Sequence, residues 1–218
     1  MLDYENLKNQ SAIIYLLDQL VLDAPELDVR RTADGLWQVG GMTWGPTVQA
    51  DSAAADWLFS QREVIVRGGV LRWHVSDVAD GLATSSPPVV LKEMDVVIRN
   101  SSRAHSLRVD ATPPTEWGER FVLMGQFKRH VLSIRAGRLA DWSGQTYAFF
   151  PQLDLAPMRT AIPAEWTHDW GQLQGQGSLR LWADVDKGQW QGATADVGLV
   201  GLQARLSEQG LPLAFERL

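Results

Sequence analysis

The sequence predicts a mainly β protein: a long, curled antiparallel sheet with one apolar face, accompanied by one or two short helices. Three observations carry this expectation. Between Glu63 and Phe150, short runs of alternating apolar and polar residues follow one another, the period of strands buried on one side and solvated on the other. The runs are separated by turn-forming residues, as in Asn100-Ser101-Ser102 and Asp186-Lys187-Gly188. From Asp51 the spacing changes to that of a short amphipathic helix.

The elements follow in order. Leu20-Val21-Leu22 and Leu27 to Arg30 flank Pro25, and Thr32-Ala33-Asp34-Gly35 supplies a turn before Leu36 to Val39, which together read as a hairpin. Asp51 is placed to cap a helix reaching about Gln61, with Ala50, Ala54, Trp57 and Leu58 on one face. Strands are expected at Val64 to Val66 and, after Gly68-Gly69, at Leu71 to Val75. The Ser-, Gly- and Pro-rich stretch from Asp77 to Pro88 reads as a surface loop.

Beyond it Met94, Val96 and Ile98 alternate with polar residues, as do Leu107, Val109 and Ala111. Phe121, Leu123 and Phe127 continue the pattern, followed by Leu132 and Ile134, then Tyr147 and Phe149, and Pro151 ends the run. Leu179, Leu181, Ala183 and Val185 turn through Asp186-Lys187-Gly188 and resume at Ala195, Val197 and Leu199, a second hairpin. Pro163-Ala164-Glu165-Trp166 is placed to open a short helix reaching Trp170. A chain of 218 residues is expected to form a single β-rich domain over 1–218; 158–163 is where a subdomain seam would fall.

Composition removes several function classes. A net charge of -6 argues against nucleic acid as a partner. With no cysteine there are no disulfides, thiolate metal sites or cysteine nucleophiles. The apolar run Ala12 to Leu17 lacks a basic flank and meets Asp18, so neither a signal peptide nor a transmembrane segment is read in the chain. Ten tryptophans suit core corners, lipid interfaces and sugar-stacking platforms alike, and Trp57, Trp182 and Trp190 are read first as packing anchors.

No motif points to catalysis, and no catalytic residue, metal site or cofactor is assigned. His74, His105, His130 and His168 show no zinc spacing and are read as surface or strand-face residues. In Asp184-x-Asp186-x-Gly188 a glycine stands where a calcium loop needs its third ligand, so a hairpin turn explains it better. Gly175-Gln176-Gly177 precedes a strand rather than a helix, so it offers phosphate no helix N-terminus. Asn100-Ser101-Ser102 fits a glycosylation sequon but equally a turn between strands, which is preferred.

An ordered set of short motifs carries a resemblance. Leu20-Val21-Leu22-Asp23-Ala24-Pro25 through Val29-Arg30-Arg31, then Asp34-Gly35-x-Trp37, Leu71-Arg72-Trp73, Asp95-x-x-x-Arg99-Asn100 and Arg103-x-His105 come first. Ala111-Thr112-Pro113-Pro114, Gly118-x-Arg120, Gly125-Gln126-Phe127, Trp142-Ser143-Gly144-Gln145-x-Tyr147 and Gly177-x-Leu179-Arg180-Leu181-Trp182 follow. Over roughly Leu20 to Leu202 the chain resembles the N-terminal periplasmic region of the YhdP family of AsmA-like bacterial envelope proteins. The resemblance implies an open β-groove (a β-taco) of a bridge-like lipid transporter, periplasmic and tethered to the inner membrane in the full-length protein. It supplies no catalytic residues. Family members are longer and begin with a membrane helix, so the resemblance also implies that this chain is a piece whose partners include flanking regions of the same protein.

The residues independently agree, because a sheet with one apolar face must bury it against another layer or a ligand. The reading is a segment of a groove that shields phospholipid acyl chains between inner and outer membranes, with no catalysis. Met94, Val96, Ile98, Leu107, Val109, Phe121, Leu123, Leu179, Leu181, Val197 and Leu199 are the candidate lipid-facing residues. Two alternatives stay open: a β-sandwich carbohydrate-binding module with exposed tryptophans, and a structural envelope module with no exchangeable ligand.

Overall fold

The computed structural model describes residues 18–31, 37–39, 42–44, 52–74, 76–77, 84–85, 88–130, 133, 135–158, 172–205 and 213–217. In chain order the elements are β1 (Leu20–Asp23), β2 (Glu26–Arg31), β3 (Trp37–Val39), β4 (Met42–Trp44), α1 (Ser52–Ser60), β5 (Glu63–His74), β6 (Ser76–Asp77) and β7 (Thr84–Ser85). They continue with β8 (Val89–Asn100), β9 (Ala104–Thr112), β10 (Phe121–Arg129), β11 (Trp142–Asp154), α2 (Leu155–Met158), β12 (Gln172–Asp186), β13 (Gln189–Arg205) and β14 (Leu213–Arg217).

Twelve of the strands form one open sheet in the order β14-β13-β12-β11-β10-β9-β8-β5-β2-β3-β4, with β1 also on β5. From β8 to β14 every connection is to an antiparallel neighbour, as alternating strands joined by short turns dictate. The β12–β13 turn shows the mechanism. Lys187 and Gly188 both have positive φ, 51° and 73°, the two-residue geometry whose twist matches a hairpin.

Among the described residues the only other sheet is the β6–β7 ribbon. Among the described residues no second sheet faces this one, as a sandwich would require, and the open-sheet expectation holds. The expected hairpin of Leu27 to Arg30 with Leu36 to Val39 is seen as β2 against β3. The sheet departs from all-antiparallel at β1 and β2, which both run parallel to β5. They are two halves of one path, broken at Ala24 (φ 49) and Pro25; the Ala24 N–H donates to the Arg67 carbonyl at 2.7 Å, and the Pro25 carbonyl accepts the Val70 N–H at 2.9 Å.

A line of irregularity crosses the strands near Met94 and Phe121. It takes in Ala24, Gly68 in β5 and Glu93 in β8, all with positive φ, and register shifts in β5, β8, β11 and β12. Bulges bend a strand and increase its local twist, so their alignment is what curls the sheet. Arg120 clamps the line, donating to the Glu93 carbonyl at 2.6 Å and to Asp95 at 2.7 Å.

Helix α1 forms where expected, but it buries a different face. Ala55 is buried and Phe59, one turn on, packs on Trp142, while Trp57 is 41% exposed. The reason is Gly137, whose missing side chain lets the helix backbone come close at Ala55. Its N–H donates to Asp56 at 2.6 Å, and Arg135 pairs with the same carboxylate. Asn100-Ser101-Ser102 is the expected β8–β9 turn, with Ser101 hydrogen-bonded to Ala104 in both directions. The expected helix from Pro163 to Trp170 lies outside the described residues, as do His168 and most of 158–163.

Candidate functional site

Strand register decides which side chains share a face, since directly paired residues project to the same side. One rung runs Val66, Val96, Val109, Leu123, Ala148, Leu181, Ala195 across seven strands, and each neighbouring pair is in register. A second rung contains Ala111 paired with Phe121, and Phe150 with Leu179 and then Val197. The Phe121 and Phe150 rings, 5.1 Å apart, join its two parts. Ile98 pairs with Leu107, Leu199 pairs with Gly177, and Met94 packs in the cluster of Ala111 and Phe121. All eleven candidate residues therefore lie on one continuous apolar face.

That face is not uniformly covered. Met94, Ile98 and Phe121 are buried, Val96, Leu107, Val109, Leu123, Leu179, Leu181 and Leu199 are half-buried, and Val197 is 44% exposed. Burial thus fades from β8 toward β13. The opposite face is mixed: Ile65, Val97, Arg108, Met124, Tyr147 and Trp182 follow one another in register across six strands. Arg108 makes a two-point contact with Asp110 at 2.7 and 2.9 Å, which holds the Asp110 carboxyl below its usual range. Arg180 pairs with Asp196 and lies 5.3 Å over the Phe149 ring. Ion pairs interrupt the apolar side chains of this face, whereas the rung from Val66 to Ala195 carries no polar side chain.

One end of the apolar face is closed by α1 through an aromatic cluster. Phe59 meets Trp142 edge-on at 4.7 Å, and His105 stacks on Trp142 at 4.4 Å. His105 was expected at the surface or on a strand face; it lies on the strand's apolar face and is buried. The missed signal is its parity with Leu107 and Val109. Asn100 donates its amide to the Gln61 carbonyl, so its oxygen faces the imidazole and accepts the His105 Nδ1–H at 2.7 Å.

The remaining chemical readings are settled by position. Asp184 accepts from Gln145 and Asp186 from Ser143 across β11 and β12, so the Asp-x-Asp-x-Gly run serves strand pairing. The described residues contain no group of three side chains able to hold a metal ion. The tryptophans read as anchors are corrected: Trp57, Trp182 and Trp190 are 41%, 43% and 70% exposed. Trp182 follows Leu181 in an extended strand and must face away from it; there it meets Tyr147 at 5.4 Å.

The family model described as "YhdP protein" matches residues 14–218. The chain belongs to the YhdP family. The match runs through every described strand, so the apolar face is part of the YhdP-family fold rather than an appendage to it. This is a family of bacterial envelope proteins. No curated protein and no solved structure matches the chain. Among the described residues of this YhdP-family chain, no helix is long and apolar enough to cross a membrane.

Proposed function

We propose that the chain is a segment of a lipid-transport groove whose apolar face shields phospholipid acyl chains between the inner and outer membranes, in a periplasmic protein tethered to the inner membrane. The observation that carries this reading is the unbroken apolar rung from Val66 to Ala195, lying on a face that opens to solvent at Val197. Six inter-strand steps of about 4.8 Å give roughly 29 Å of apolar path. A bilayer leaflet's hydrocarbon is about 15 Å deep, half of a core about 30 Å thick. A whole acyl chain fits across the strands.

The energetics favour chain length over head-group identity. Burial contributes roughly 25 cal/mol per Å² of apolar surface, or about 0.8 kcal/mol per methylene, so an acyl chain gains several kcal/mol without a polar contact. The role is non-catalytic: the groove lowers the cost of moving hydrocarbon through water. Spanning the envelope requires more sheet than these strands supply. Strands β4 and β14, the edges of the described sheet, leave backbone groups to which flanking regions of the same protein would add.

The test is native mass spectrometry with lipid extraction on the chain purified from a bacterial host. Phospholipid in stoichiometric amount is the expected result. A folded, lipid-free protein would overturn the groove reading and favour a structural envelope role.

A further inference from the structure

Trp182 stands on the face opposite the rung from Val66 to Ala195, and 43% of it is open to solvent. Register supplies its neighbours. Trp182 pairs with Tyr147 and Thr194, and Asp184, two residues on, pairs with Gln145 and Gly192; paired residues, and residues two apart in a strand, share a face. The Tyr147 ring lies 5.4 Å from the Trp182 ring and is tilted 46° to it, so the two make one aromatic surface. Beside it Gly192 has no side chain, and nothing lies within 4 Å of where one would stand. A depression of about 310 Å³ results, lined by Gln145, Trp182, Asp184 and Thr194 among others.

The aromatic pair is bordered by polar groups with hydrogen bonds still to make. The Gln145 amide donates to one Asp184 oxygen at 3.0 Å, which fixes both side chains and leaves the other Asp184 oxygen and the Gln145 carbonyl to accept from a ligand. The Thr194 hydroxyl, exposed beside them, can both donate and accept. Gln145 also lines a second depression, of about 580 Å³, with Ser106, Gln126 and Lys128. Both volumes fall in the range of small-molecule sites. Ser106, Gln126, Gln145 and Asp184 follow one another in register on four strands, three steps of about 4.8 Å that make a polar track roughly 14 Å long. It begins at the aromatic pair.

We infer that this track binds an uncharged, extended glycan, a β-1,4-linked chain of hexoses with one ring stacked on Trp182 and its hydroxyls on Asp184, Gln145 and Thr194. A pyranose has an apolar C–H face and a rim of hydroxyls that donate and accept, so it matches an aromatic surface bordered by mixed polar groups. Other ligands fit worse. Hydrocarbon would strip water from the carboxylate and the amide without replacing their hydrogen bonds, and an anion would meet the Asp184 carboxylate beside the rings. A β-1,4 linkage keeps successive rings in a flat ribbon, the shape that a shallow track across strands accepts, whereas an α-1,4 chain coils away from it. The inference goes beyond the lipid groove, because it concerns the other face of the sheet.

The experiment is calorimetric titration of the full chain with cellotetraose and chitotetraose, both β-1,4-linked, and with maltotetraose, which is α-1,4-linked. At least one β-linked chain is expected to bind, and more tightly than maltotetraose. Trp182→Ala should weaken that binding at least about tenfold, and Asp184→Ala about fivefold. Both alter exposed side chains, and circular dichroism checks their fold. Trp190→Ser should bind as the wild type does, since Trp190 pairs with Val185 and so lies on the other face. No binding of either β-linked chain, equal affinity for maltotetraose, or wild-type affinity in both Trp182→Ala and Asp184→Ala would overturn the inference. A dimer that Trp182→Ala abolishes would assign the aromatic pair to a second copy and also overturn it. Phospholipid extracted from Trp182→Ala reports on the apolar face alone, so the two readings fail independently.

Discussion

His105 lies flat against Trp142, with ring centroids 4.4 Å apart and planes 3° from parallel, and this contact is where the α1 helix joins the sheet. Phe59 closes on both rings, at 5.9 Å from His105 and 4.7 Å from Trp142. Nδ1 bonds Asn100, while Nε2 is buried without a partner. Burial first, and the nearby Arg129 second, push the imidazole from 6.5 to about 4. The unfolded chain then binds the extra proton between these values, so stability is fully present above pH 6.5 and falls as pH drops toward about 4.

The stability of the wild type should therefore decline on acidification, by on the order of 2 kcal/mol after allowance for partial solvent screening. Urea titrations at a series of pH values measure this, and His105→Gln should flatten the slope. Asp28, Glu63 and Asp110 carry lowered values, through bonds to His74, to Gln19 and Arg99, and to Arg108 respectively. Their contributions are lost only below the ordinary carboxylate range. A slope unchanged in His105→Gln above pH 5 would remove the imidazole from the account.

Gly144 tests the close approach of β10 and β11. A Cβ there would fall on the Gln126 carbonyl oxygen and within 2.8 Å of the Phe127 Cα, backbone atoms that cannot rotate away. Gly144→Ala is expected to cost about 2 kcal/mol or more, whereas Gly192→Ala, with nothing within 4 Å of the added carbon, should stay within about 0.5 kcal/mol of wild type. Equal midpoints for the two variants in chemical denaturation would contradict the geometry.

Much of the face was legible because period two needs no knowledge of pairing. Val96 and Leu123 are known to point one way as soon as their strands are known, and register only then shows them to be neighbours through Val109. The parallel seating of β1 and β2 on β5 was not legible, since a partner dozens of residues away leaves no mark in the local alternation of Leu20 to Val29. The face of α1 was missed for a related reason. Its orientation is dictated by Gly137 and Arg135, not by its own sequence. Trp182 was misjudged by residue type where strand parity would have placed it; for His105 the expectation left surface and strand face open, and parity decides for the strand face.

Arg120 and Asp95 are expected to act as one unit. Asp95 accepts from Arg120 through one oxygen and from the Gly68 N–H through the other, at 2.7 and 3.0 Å. Arg120 also binds the carbonyl of Glu93, so the pair holds two positive-φ residues on adjacent strands. Each alanine variant should cost about 1 to 2 kcal/mol. The double variant should cost less than the sum, by at least about 0.5 kcal/mol in a denaturation cycle. Strict additivity would mean the two hold the bend independently.

Val197 and Trp182 offer a matched pair for the groove itself. They are 44% and 43% exposed, on neighbouring strands, and project to opposite faces because Val197 pairs with Leu179 while Trp182 pairs with Tyr147. Either aspartate variant changes a surface position to a similar degree, so their folding costs should be alike. Only Val197→Asp sets a carboxylate against bound hydrocarbon, where an unpaired charge costs several kcal/mol. Phospholipid retained by Val197→Asp is therefore expected to fall more than about tenfold, with Trp182→Asp close to wild type, measured by extraction and native mass spectrometry. Equal retention by the two would mean that the lipid, if present, does not lie on the face that the strand register defines.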